Sequence, residues 1–219
     1  MQTKTILILE QFRKNSNEAN ARKMSAYMKN HFPFLGLPKP QRVELSKDFL
    51  RKITKEKMID WNLVNYLWEL SEREFQYLAL EYLAKLKKQL EKPDISNLEQ
   101  LIVTKSWWDS VDVLAPLVGV LCKKYPELKT EVLDDWIIIS NIWLKRVSIL
   151  FQLKYKNDVD TEFLSKTIIA NNLSNEFFVN KAIGWALRQY SKFNPDWVKE
   201  FISKYPLSPL SIREGSKYL

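Results

Sequence analysis

Three observations predict an all-α chain. Only 4 of its 219 residues are Gly. Apolar residues recur at spacings of three and four in segment after segment. From about residue 55 onward the helical segments come in pairs, and the second member of each pair recurs at a nearly constant distance. Comparable second-helix positions are Gln76, Asp112, Arg146 and Lys181, separated by 36, 34 and 35 residues. Pairs of that period cannot bury their apolar faces alone; stacked, they form a curved solenoid in which the second helices line the concave face. The expected architecture is a HEAT-like α-α superhelix (solenoid) with a concave face. It forms one domain over 1–219, with an N-terminal helical cap (1–54) followed by stacked helix pairs (55–219).

The cap should hold helices over 4–14, 18–29 and 40–51. Between the last two, His31 to Pro40 departs from helical periodicity and carries three prolines, Pro33, Pro38 and Pro40, so it reads as a connection. The single histidine, His31, reads there as a packed or solvated loop residue. The pairs then follow as 56–68 with 72–90, 94–104 with 107–124, 127–137 with 139–154, and 159–170 with 175–191, closed by 195–203 and 209–218. Ser71, with Glu74 three residues on, forms a capping box at the start of the 72–90 helix. Tyr125-Pro126, Asn194-Pro195 and Tyr205-Pro206 mark stops and starts. In the 107–124 helix, Val111, Leu114, Ala115, Val118, Leu121 and Cys122 fall on one stripe, with Asp112 off its centre.

Composition narrows the chemistry. Hydrophobic residues make up 46% and aromatics 13%, too much apolar material for a disordered chain. One cysteine and one histidine exclude a disulfide framework, a Cys-ligated cluster and a Cys/His zinc site, and disfavour a Ser-His-Asp or Cys-His nucleophile. Gly-rich phosphate loops, dinucleotide-binding patterns and His-Glu-x-x-His are absent. No cofactor or metal is expected, so the chemistry falls to carboxylates, Lys/Arg and aromatic rings. The amino terminus shows no signal peptide and no apolar run approaches the ~20 residues that span a bilayer, which predicts a soluble, cytoplasmic protein without membrane contact. A net charge of +8 hints at a polyanionic partner.

The remaining candidates are polar groups set among tryptophans. Trp108 and Asp112 are four residues apart, Trp143 and Arg146 three, Lys181 and Trp185 four, and Trp185 and Arg188 three, so each pair shares a helix side. Tryptophans at helical spacing are core residues more often than site residues, and Lys or Arg on helices usually covers surface. The coincidence across three successive repeats favours a site. A basic concave face with exposed indoles suits nucleic acid, cations meeting phosphates and rings meeting sugars or bases.

These motifs resemble those of the AlkD-like DNA glycosylases, HEAT-repeat enzymes that remove alkylated bases. The resemblance runs from Met24–Gly36 through Arg73–Gln76, Leu101–Asp112, Asn141–Arg146, Ile149–Tyr155 and Lys181–Arg188 to Leu207–Leu210. It implies that Asp112 is the catalytic carboxylate and that Trp108 and Trp185 cradle the damaged nucleotide's deoxyribose. Arg146 would hold the backbone phosphate, and Tyr27 would contact DNA from the cap. Trp143, Lys154, Lys181 and Arg188 complete the expected DNA-binding set. A noncatalytic branch of that family lacks the Trp/Asp set, which this chain keeps. The chain departs from the pattern at Pro38 and over Ser211–Gly215.

The expected reaction is hydrolysis of the N-glycosidic bond of cationic alkylated purines, N3-alkyladenine or N7-alkylguanine, in duplex DNA by a monomer. Its transition state has oxocarbenium character, which a carboxylate can stabilise while also orienting or deprotonating water. Only one carboxylate is found where glycoside hydrolysis ordinarily uses two, so the leaving base should already be charged. The resemblance also implies that the base is not extruded into a pocket. Lys181 attack through a Schiff base would need a lowered pKa, which nothing local predicts; a monofunctional enzyme is expected. The alternative is a noncatalytic HEAT-repeat module that binds DNA or protein.

Overall fold

The computed structural model describes residues 3–219, which form thirteen α-helices and, among the described residues, no strand. Contacts divide the chain into two compact units, one ending at Gln89 and one spanning Leu90–Leu219.

The first unit contains α1 (Thr3–Lys14), α2 (Glu18–Tyr27), α3 (Lys39–Ile53), α4 (Trp61–Glu69) and α5 (Arg73–Leu86). Helix α1 packs on α3, and α5 on both α3 and α4, around a core that includes Phe12, Leu37, Leu67, Phe75, Leu78 and Leu83. The expected 56–68 helix begins at Trp61, because Asp60 caps it by accepting from the Leu63 N–H and Lys57 turns the preceding chain with φ 52°.

The capping box expected at Ser71 and Glu74 does not form. Helix α5 starts at Arg73 after Glu72, and the Glu74 carboxylate is fully buried and used elsewhere. Its oxygens accept the backbone N–H groups of Leu35, Gly36 and Leu37 at 2.8–3.0 Å. The Pro-rich connection is therefore not slack: the Arg73 N–H also donates to the Pro33 carbonyl, and the Arg73 guanidinium lies 3.9 Å from the Phe32 ring centroid. Gly36 is required in this turn. Its φ is +86°, and a Cβ there would stand 2.1 Å from the Asn17 carbonyl oxygen.

The second unit contains α6 (Asp94–Val103), α7 (Trp108–Lys124), a widened π turn (Lys129–Leu133) running into α8 (Asp134–Ile138), α9 (Ile142–Leu150), α10 (Thr161–Asn171), α11 (Phe177–Tyr190), α12 (Pro195–Lys204) and α13 (Pro209–Gly215). Asn141, Asp160, Asn194 and Ser208 cap α9, α10, α12 and α13 through their side-chain oxygens. Helix α7 packs on α9, α9 on α11, and α11 most extensively on α13.

Polar contacts between successive pairs recur at the repeat distance. Lys124 donates to the Leu90 carbonyl across 34 residues, the Tyr155 hydroxyl to the Gly119 carbonyl across 36, and the Asn171 amide to the Ile137 carbonyl across 34. Each bond also satisfies a carbonyl at a helix end or in a close helix contact. Among the described residues no helix is long and apolar enough to cross a membrane.

Candidate active site

Trp107 stands at the N-cap of α7 in extended backbone, which starts the helix at Trp108 and places Asp112 one turn in. Pro116 lies four residues further on, inside the helix. Having no N–H, it cannot donate to the Asp112 carbonyl, so that acceptor is left out of the helical ladder beside the Asp112 side chain.

The Asp112 carboxylate meets Arg146 of α9 in a bidentate pair. Nε donates to Oδ1 at 2.7 Å and Nη2 to Oδ2 at 2.9 Å, while Nη1 donates to the Phe178 carbonyl of α11 at 2.6 Å. One arginine thus links α7, α9 and α11. The Arg146 side chain is 4% exposed and that of Asp112 17%, so the carboxylate sits at the rim of the packed interior and the guanidinium within it. Burial pushes the Asp112 pKa above the ordinary carboxylate value; Arg146 pulls against that shift, and nearby Asp109 adds to it.

Beside this pair Trp107, Trp143 and Phe178 form a ring cluster, with centroids 5.7 Å apart for Trp107 and Trp143, 5.1 Å for Trp107 and Phe178, and 5.0 Å for Trp143 and Phe178. Trp143 is buried in that cluster; it packs the helices together and presents no ring face of the kind expected for DNA contact. Trp108 and Trp185 are half-buried. At about 100° per residue, Trp185 falls within about 20° of Phe178 round α11, which puts it on the side that carries the Arg146 contact.

Lys181 and Arg188 occupy the neighbouring arc of α11 and turn to α13. Both reach Glu214 at 3.0 Å, and Lys217 joins them at 2.9 Å. Lys217 and Lys181 hold the Glu214 pKa at about 2 against the opposing effect of burial. Lys154 follows α9 and is exposed. Tyr27 ends α2 and is exposed, in the first unit. Of the repeat positions, Gln76 is fully buried and donates to the Leu67, Trp68 and Leu70 carbonyls at the end of α4, a packing role.

The structure therefore brings Asp112 to Arg146, and Lys181 and Arg188 to Glu214. Sequence reasoning missed Trp107, Phe178 and Glu214. The first two had a signal: Trp107, Trp143 and Phe178 are 36 and 35 residues apart, the repeat distance itself. Glu214 is the lone acid of 206–219.

Successive helix pairs, with a rim carboxylate held by a buried arginine one turn from a half-buried tryptophan, define an all-helical protein with a candidate acidic site on α7. The chain belongs to the DNA alkylation repair enzyme family, whose model matches residues 8–219. It is similar over 93% of its length, and 96% of the other chain, to a solved structure described as a predicted DNA alkylation repair enzyme from Enterococcus faecalis, at 37% identity and a TM-score of 0.85. A protein of Streptococcus mutans UA159 shares the fold, with 22% identity over 81% of this chain and 97% of that one and a TM-score of 0.61. No curated protein matches the chain.

Proposed function

We propose that this chain is a monofunctional DNA glycosylase that hydrolyses the N-glycosidic bond of cationic alkylated purines, N3-alkyladenine and N7-alkylguanine, in duplex DNA. It acts as a cytoplasmic monomer in base excision repair, and its HEAT-like pairs offer the DNA-binding surface. The observation that carries the reading is the Asp112 carboxylate, fixed by two charge-assisted bonds at the edge of the packed interior and one turn from Trp108.

The bond from C1′ to the base breaks with its electron pair leaving on the base, and that pair cancels the base's positive charge. The leaving group then needs no proton, so Asp112, already engaged by Arg146, is not called on to donate one. The sugar becomes cationic, and the fixed Asp112 carboxylate stabilises it. The indole faces of Trp108 and Trp185 favour the same charge. A cation–π contact contributes about 0.5–2 kcal/mol and a preorganised electrostatic group about 3–4 kcal/mol, so Asp112 outweighs either ring. Water adds to C1′ and loses its proton to Asp112 or to solvent, leaving a free base and an abasic site.

Arg146 serves here as the partner that holds Asp112 ionised and aimed. To hold a phosphate instead, its guanidinium would have to leave a bidentate bond inside the protein. Tyr27, Lys154, Lys181 and Arg188 remain the DNA contacts of this reading. The same bidentate pair is also what a purely structural ion pair would show, and a noncatalytic DNA-binding module is the second reading it favours.

Base release separates the two. Methylated duplex DNA should yield free 7-methylguanine and 3-methyladenine, while a duplex carrying neutral hypoxanthine should yield none, and borohydride should trap no protein–DNA adduct. Duplex binding without release would support the module; a trapped adduct would point to lysine chemistry.

A further inference from the structure

We propose that Lys181, Arg188 and Lys217, gathered on the Glu214 carboxylate, form a site for one backbone phosphate of double-stranded DNA, with Glu214 as the residue that positions the three cations. The proposal rests on the reading that DNA is the ligand, and it adds Lys217 and Glu214 to the surface that reading implies.

The cluster has the arrangement such a site needs. Glu214 is 6% exposed, whereas the Lys181, Arg188 and Lys217 side chains around it are 38%, 26% and 46% exposed. The negative charge is underneath and the positive charges are outside. One carboxylate cannot neutralise three cations, and Arg213 lies 3.9 Å from it as well, so a local surplus of three positive charges faces water, more than enough to meet one phosphodiester. The contacts also leave donors over. Each ammonium carries three N–H groups and a guanidinium five, of which Glu214 engages one Arg188 nitrogen and one bond from each lysine.

Three cations brought together without Glu214 would repel one another. Glu214 removes most of that cost before any phosphate arrives. Its depressed pKa, about 2, keeps it ionised at neutral pH.

The surrounding sequence is one-sided in charge. Residues 177–194 and 206–219 hold five cationic side chains, Lys181, Arg188, Lys192, Arg213 and Lys217, against Glu214 as the lone acid. Backbone geometry is fitted to the cluster as well. A Cβ at Gly184 would come within 2.6 Å of the Glu214 Cβ, so the absence of a side chain there lets α13 deliver Glu214 to α11.

The test is equilibrium binding of the full chain to an undamaged duplex over a range of KCl concentrations. Lys217→Ala should bind more weakly at every salt concentration, and the slope of log affinity against log salt should fall by about 1. Glu214→Gln decides between positioning and simple charge. Loss of an acid raises the net charge, so it would tighten binding if Glu214 merely opposed DNA; loss of a positioning residue weakens it. An unchanged slope in Lys217→Ala, or tighter binding in Glu214→Gln, overturns the proposal. Lys217→Ala alters a half-exposed side chain near the end of the chain and decides the matter if Glu214→Gln does not fold. Undamaged DNA requires no base release, so absence of 7-methylguanine release by the wild type would sink the glycosylase reading while leaving this result to stand or fall by itself.

Discussion

At Asp112 burial and the Arg146 guanidinium act on the carboxyl in opposite senses, and burial prevails. Its pKa therefore lies above the ordinary carboxylate range. If the ionised form is the active one, base release should fall as pH drops through that raised value and level off above it. Arg146→Gln removes the influence that lowers the pKa, so the acid limb should move to higher pH, read in single-turnover release of 7-methylguanine. A limb that stays at the wild-type position would contradict the role given to Arg146. The same substitution leaves a buried carboxylate without its partner and should cost roughly 3–5 kcal/mol of stability, read in urea unfolding. None of this was legible in the sequence. The repeat spacing set Asp112 and Arg146 at equivalent positions 34 residues apart, but two equivalent positions on adjacent helices are neighbours, and opposite charges there pair with each other before they meet a ligand.

Helix α13 is short, and its hold on α11 depends on the close approach that Gly184 permits. A Cβ at that position would lie 2.6 Å from the Glu214 Cβ and 3.0 Å from the Ser211 carbonyl oxygen. Gly184→Ala should therefore push α13 outward and destabilise the fold by about 1–3 kcal/mol, against the small gain that Ala normally brings to a helix interior. An unchanged unfolding midpoint would contradict that packing. Helices themselves were well legible where apolar periodicity and Pro-marked stops act locally: α1, α6, α7 and α12 fall within a residue of where the pattern puts them, whereas the 56–68 helix begins at Trp61, the 127–137 segment opens as a π turn and the 139–154 helix shortens to Ile142–Leu150. Among side chains the exceptions have tertiary causes. Glu74 reads as a capping residue, yet three backbone N–H groups of the 35–37 turn, far off in sequence, claim its carboxylate. Trp143 reads as a site residue, yet Trp107 and Phe178 enclose it. In each case a long-range contact outweighs a local signal.

At the scale of the whole molecule, a repeat period of about 35 residues organises the packing of the second unit. The contacts that link successive pairs in that unit, the Trp107–Trp143 and Trp143–Phe178 ring contacts, and the Asp112–Arg146 pair all join residues about one period apart. A period that is a property of the chain can be read from sequence; the partner each polar side chain chooses across that period cannot, which is why the family resemblance identified Asp112 while Glu214 emerged only from the packing of α13. The family match over 8–219 extends to both units. Under the proposed function the carboxylate of residue 112 accelerates loss of a base that is already positively charged. The most direct measurement is the single-turnover rate of 7-methylguanine release from methylated duplex DNA at saturating protein, wild type against Asp112→Asn. Rapid release by the wild type and a loss of about 10²–10³-fold in the variant are expected; equal rates in the two proteins would rule out a catalytic role for Asp112.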